Sequence, residues 1–130
     1  MTDRALQVGD IVRIIHRTGV YAGEIIAAAP ERYTFKTLAV LKHPTQGDLH
    51  SPFQTDVTLF HERKALAYQE KVNVPPGNIS LYTQELPDYR TSLAQTLENQ
   101  IQELQARGDE WAKRSIAALE ELKKDYGLVQ

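Results

Sequence analysis

The 130-residue chain contains no cysteine. That excludes disulfide staples, thiolate metal sites and S-acylation together, so the fold must be held by its core. There is one methionine and one tryptophan, and no apolar run long enough to span a bilayer. Neither sign of charge dominates. Fifteen basic residues against 17 acidic ones leave a net charge of −2, which exerts no long-range pull toward nucleic acid or anionic lipid. The N-terminal MTDRALQVGD has no apolar stretch of the kind a signal peptide requires. A Gly-x-Ser-x-Gly elbow and a phosphate loop are missing as well. These absences predict a cytoplasmic, non-enzymatic protein with no direct membrane insertion and no cofactor.

What is present suits one compact unit: 42% apolar and 25% charged residues, ordinary values for a globular domain. Gly9–His16, Val20–Ala29 and Tyr33–Lys42 read as three strands joined by the turn signals at residues 17–19 and 30–32. In the third, Tyr33, Phe35, Thr37, Ala39 and Leu41 share one face by simple alternation. Gly23 inside the second strand predicts a bulge or sharp bend, the device by which small barrels turn corners. The first strand is apolar on both faces, with Val12 and Ile14 opposite Ile11 and Ile15, and is expected to need an outer cover. Further short strands are expected near Asp56–Phe60 and Lys64–Gln69, and Val72–Asn78 reads as a break.

Beyond the break the period becomes helical. Leu93, Leu97, Ile101 and Leu104 form one stripe, with Asp88 or Thr91 as N-cap and Gly108 as terminator. Asp109 can cap a second helix carrying Ala112, Ile116, Leu119 and Leu122, extended by Tyr126 before Gly127. The expected fold is therefore mainly β with α, a small partly open antiparallel barrel followed by a two-helix hairpin packed on it. Residues 1–72 form the barrel, 73–87 a Pro/Gly-containing linker and 88–130 the hairpin.

Chemistry-bearing residues concentrate in Leu41–Lys64, which holds three of the four histidines and is too polar to be core. His43, His50 and His61, with Asp48, Asp56 or Glu62, are the residue types of a zinc site, but their intervals are wide for one. His61-Glu62 begins like a zinc-protease helix, yet position 65 is Ala where a second histidine is needed. Asp48 and His50 would share a side if extended, without a visible pocket for acid–base work. Small barrels often read RNA, and Lys36, Lys42, Arg63, Lys64 and Lys71 lie near Tyr33 and Phe35. Acids are interleaved among these bases and no RNA-binding signature appears, so an RNA-binding barrel is only the alternative reading and no nucleic acid is expected. The hairpin's stripe reads as core, with Trp111 as its one candidate interface residue. A protein-contact surface at His43, Asp48, His50, His61 and Arg63 is the preferred reading.

The chain as a whole resembles a known family, the kinase-associated protein B family of spore-forming Gram-positive bacteria. The resemblance is carried by residues 8–12 (VGDIV), 18–24 (TGVYAGE), 39–50 (AVLKHPTQGDLH), 60–67 (FHERKALA), 87–89 (PDY) and 112–115 (AKRS). It implies an SH3-like barrel with a helical appendage and no enzymatic activity. It also implies a role as a factor needed by a membrane sensor histidine kinase that feeds the sporulation phosphorelay. Lipidation of the kind the family's lipoprotein label suggests needs a cysteine, which this sequence lacks. Any membrane location is expected to come through the partner. The oligomeric state is not legible.

Overall fold

In the computed structural model, residues 5–47 and 62–128 are described. Five strands form one antiparallel sheet: β1 (Ile11–His16), β2 (Gly19–Ala29), β3 (Arg32–Lys42), β4 (Lys71–Val74) and β5 (Ile79–Leu81). The sheet order β4-β3-β2-β1-β5 is a meander closed back on itself, because β5 returns to pair with β1 through Ile14–Ile79 and Val12–Leu81. Its interior is filled by Val12, Ile14, Tyr21, Ile25, Phe35, Val40 and Val74, all buried. This is the expected partly open, SH3-like barrel.

Curvature comes from three register shifts between the two long strands β2 and β3. One lies at Ala22/Gly23, where a Cβ on Gly23 would collide with the Lys36 carbonyl oxygen, so only glycine lets the strands bend together there. The same shifts break the expected alternation of β3. Phe35, Thr37, Ala39 and Val40 are all buried, so the single shared face does not persist past the extra residue at Leu38, where the strand changes which side faces in.

Two helices follow, α1 (Tyr89–Arg107) and α2 (Glu110–Asp125). The Asp88 carboxylate accepts from the Thr91 amide at 3.0 Å, and Asp109 from the Ala112 amide at 2.8 Å, so both helices start on the side-chain caps the sequence offers. Gly108 ends α1 in the left-handed conformation, with φ +72°. Arg90 at the start of α1 donates to the Tyr126 and Gly127 carbonyls past the end of α2. Leu97, Ile101 and Leu104 meet Trp111, Ala112, Leu119 and Leu122 in a second core.

The hairpin covers β3, not β1. Leu93 enters the barrel core, and Ser92 Oγ accepts from the Val40 amide at 3.0 Å while donating to the Tyr89 carbonyl. Among the described residues, the cover expected over β1 is absent from its outer face, where Ile15 is 42% exposed. The segment expected to be a linker also carries structure: β4 runs to Val74, Pro76–Asn78 forms a 3-10 turn, and β5 follows at once.

The strand expected at Lys64–Gln69 is not formed. Tyrosine hydroxyls take up backbone groups of this run instead. The strand expected at Asp56–Phe60 lies outside the described residues.

Candidate functional site

The residues on either side of segment 48–61 are fixed by buried polar contacts. On the leading side, Gln46 behaves as a surrogate strand. Its Oε1 accepts from the Arg63 amide at 2.8 Å, and its Nε2 donates to the Arg63 carbonyl at 2.9 Å and the Pro44 carbonyl at 3.0 Å. Arg63 Nε adds a bond to the Gly47 carbonyl at 3.1 Å. The amide of Thr45 donates to Thr18 Oγ1 at 2.9 Å, tying this stem to the β1–β2 turn.

On the returning side, three tyrosines from three parts of the fold hold the backbone of Ala65 and Leu66. The Ala65 amide donates to the Tyr126 hydroxyl at 2.9 Å, and the Leu66 amide to the Tyr21 hydroxyl at 3.3 Å. The Leu66 carbonyl accepts from the Tyr89 hydroxyl at 2.6 Å. Burial pushes the Tyr21 phenol well above its ordinary pKa, and those of Tyr89 and Tyr126 up to about 12, so all three remain neutral donors and acceptors.

His43 sits beneath this arrangement, not on it. It is fully buried. Nδ1 faces the Pro44 carbonyl at 3.1 Å, and since a carbonyl only accepts, Nδ1 carries the proton. Nε2 is then the acceptor for the Tyr126 hydroxyl at 2.9 Å, leaving Tyr126 free to accept from Ala65. Burial lowers the imidazole pKa from 6.5 to about 4, against the Pro44 bond, which raises it. The ring is therefore neutral at pH 7. Placing His43 on the contact surface is corrected by this burial: both ring nitrogens are engaged internally, which also leaves them unavailable to a metal. Among the described residues no three His, Asp or Glu side chains gather as potential metal ligands.

Of the other residues singled out from the sequence, Arg63 is half-buried at the stem, while Asp48, His50 and His61 lie outside the described residues. Beside the stem opens a cleft of about 650 Å³, whose charged rim is formed by Arg17, Glu62, Arg63, Lys64 and Glu70 over a floor of Tyr21, Leu66 and Val72. Arg17 occupies the two-residue β1–β2 turn with φ +56°, a left-handed conformation of the kind such hairpin turns require. Charges of both signs around a shallow apolar floor suit a polar protein surface more than a polyanion. The two aromatics of the RNA-binding reading are not free to stack on bases, since Phe35 is fully buried and Tyr33 packs against the core. Lys36 faces Glu24 at 3.5 Å.

Gln46, Tyr21, Tyr89 and Tyr126 were not singled out as site residues by sequence reasoning. Their partners lie 17 to 61 residues away along the chain, and no local pattern announces such pairings.

Barrel, hairpin and clamped stem together define an SH3-like barrel braced by a C-terminal helical hairpin. The family model described as kinase associated protein B matches residues 16–127. A relative from Bacillus subtilis (strain 168), kinase-associated lipoprotein B, is 49% identical over 120 residues, covering 92% of this chain and 94% of its own. The crystal structure of kinase-associated protein B from Bacillus cereus superposes with a TM-score of 0.81 at 38% identity, covering 95% of this chain and 99% of that one. The chain belongs to the kinase-associated protein B family.

Proposed function

We propose that this protein is a non-enzymatic accessory factor that binds a sensor histidine kinase feeding the sporulation phosphorelay and favours its signalling-competent state. The family supports a kinase-related role. The observation that carries contact as the mechanism is the clamped stem. The residues that flank the polar, histidine-bearing run 48–61 are held by part-buried glutamine and tyrosine bonds, as suits a rigid base for a recognition element. The proposed contact residues are Asp48, His50, His61 and Arg63, with the charged rim of the neighbouring cleft. His43 supports the stem by holding Tyr126. A modulator of this kind shifts its target only by binding one state better than the other.

The test is kinase autophosphorylation with full-length kinase in membranes, comparing the native protein with the Asp48→Ala/His50→Ala/His61→Ala variant. A saturable change in rate is expected with the native protein, lost in a variant of unchanged melting temperature. A variant that regulates normally would remove the segment from the mechanism. The location that goes with this proposal is the cytoplasm, at the membrane through the kinase. No helix among the described residues is long and apolar enough to cross a bilayer.

A further inference from the structure

The β1–β2 turn holds an arginine where its backbone favours glycine. His16 and Gly19 close the two-residue loop, and of its central residues only Arg17 has a positive φ, +56°. A two-residue hairpin loop with a positive φ at its first position alone is glycine's, because a Cβ there crowds the following carbonyl oxygen. The other loop residues have internal tasks. The Thr18 hydroxyl accepts from the Thr45 amide at 2.9 Å, and a Cβ on Gly19 would collide with the Tyr21 ring and hydroxyl. Arg17 has no such task. It is exposed, and its side chain makes no hydrogen bond or ion pair among the described residues. The neighbouring His16, its pKa lowered by burial and by the Arg17 charge, is neutral at pH 7 and offers no counter-charge.

Strained backbone positions that bring the fold no contact of their own cluster where ligands are bound. Arg17 stands on the rim of the 650 Å³ cleft beside the stem. The other rim charges are at least partly engaged within the fold. Arg63 Nε donates to the Gly47 carbonyl at 3.1 Å, Lys64 stands 3.9 Å from Asp125, and Glu70 accepts from the Ala67 amide at 2.8 Å. Arg17 is thus the rim cation whose whole guanidinium fork is open, and that fork matches a carboxylate. Val72 of β4, half-buried in the cleft wall, leaves apolar surface that a partner side chain can cover.

We propose that Arg17 is the anchor of the kinase-binding surface, and that the partner presents an aspartate or glutamate to it beside an apolar side chain lying over Val72. The anchor role rests on the kinase-contact reading and adds to it the sign of the partner's charge. One carboxylate fits this rim and a run of acids does not, because Glu62 and Glu70 stand around the same cleft.

The test is binding of the full chain to membranes carrying the full-length sensor kinase, for the native protein, Arg17→Gly and Arg17→Glu. Arg17→Gly relieves the turn, so its melting temperature should hold or rise. Its affinity for the kinase should fall by at least about tenfold, the usual effect of removing an arginine anchor. Arg17→Glu should bind more weakly still, because two carboxylates then meet. Native binding should weaken with added salt more steeply than binding of Arg17→Gly. An Arg17→Gly protein that binds as tightly as the native one overturns the anchor and leaves kinase contact standing. A lowered melting temperature overturns it too, since it would mark Arg17 as a structural residue. An Arg17→Glu protein that binds at least as well as Arg17→Gly overturns the acidic partner. If the native protein does not bind the kinase at all, the kinase-contact reading falls and the anchor falls with it.

Discussion

At the scale of single residues, the Tyr126 hydroxyl joins the hairpin to both sides of the stem. It donates to His43 and accepts from Ala65, and its ring packs against both the barrel core and the hairpin core. Tyr126→Phe should keep the ring packing but strand the His43 Nε2 and the Ala65 amide, at a cost of about 2 kcal/mol measured by urea unfolding. A loss near zero would mean the hydroxyl is not the stem's anchor. His43 itself makes a pH prediction whose sign is fixed. Its folded pKa, about 4, lies below the unfolded value of 6.5, so in that window the unfolded chain holds a proton that the folded protein refuses. Stability should be full above pH 6.5 and fall as pH drops toward 4, by on the order of 3 kcal/mol at roughly 1.4 kcal/mol per pKa unit. His16, whose pKa is lowered by partial burial and by Arg17, adds to the same trend. Urea titrations stepped through the window measure it, and a flat profile would contradict a neutral, buried His43.

At the scale of elements, the helices depend on short-range signals and the stem does not. Asp88→Ala and Asp109→Ala should each lower the melting temperature, since each removes the side-chain N-cap of its helix; an unchanged melting temperature would mean that the cap does not stabilise the helix. Both helices, their caps, the Gly108 stop and the Leu93–Leu104 stripe were legible in the sequence because a helix is written by residues three to four apart. The β1–β3 meander and the bend at Gly23 were legible for the same reason, each resting on a local turn or a single glycine. Less was legible where the determining contact is distant. The run Lys64–Gln69 has strand-like residues, yet its amides at Ala65 and Leu66 go to tyrosines beyond α2 and on β2. Ile15 looked like a core residue by type, and only the docking of α1 on β3 decides that it stays exposed. The candidate site suffered most, since a histidine in a polar stretch reads as surface until Tyr126, 83 residues on, is seen to cap it.

At the scale of the whole molecule, barrel and hairpin share side chains to an extent that predicts one cooperative unit. Leu93 belongs to the barrel core, Ser92 ties α1 to β3, and Tyr126 touches both cores. The single tryptophan, Trp111, reports on the hairpin, whereas the backbone amide NMR signals of Val12 and Phe35 report on the barrel. The two probes should give coincident urea transitions. Separate midpoints would show that the hairpin is an independent appendage. Under the proposed contact role, cooperativity matters because a stem that is already ordered does not have to be ordered on binding. The most direct test of the proposed contact is autophosphorylation of a membrane-embedded sensor histidine kinase titrated with this protein. Tyr126→Phe and the Asp48/His50/His61 alanine variant are titrated in parallel. A saturable change is expected with the native protein, a weakened one with Tyr126→Phe and none with the alanine variant. No change in kinase activity with the native protein, and no binding to the kinase, would contradict regulation by contact.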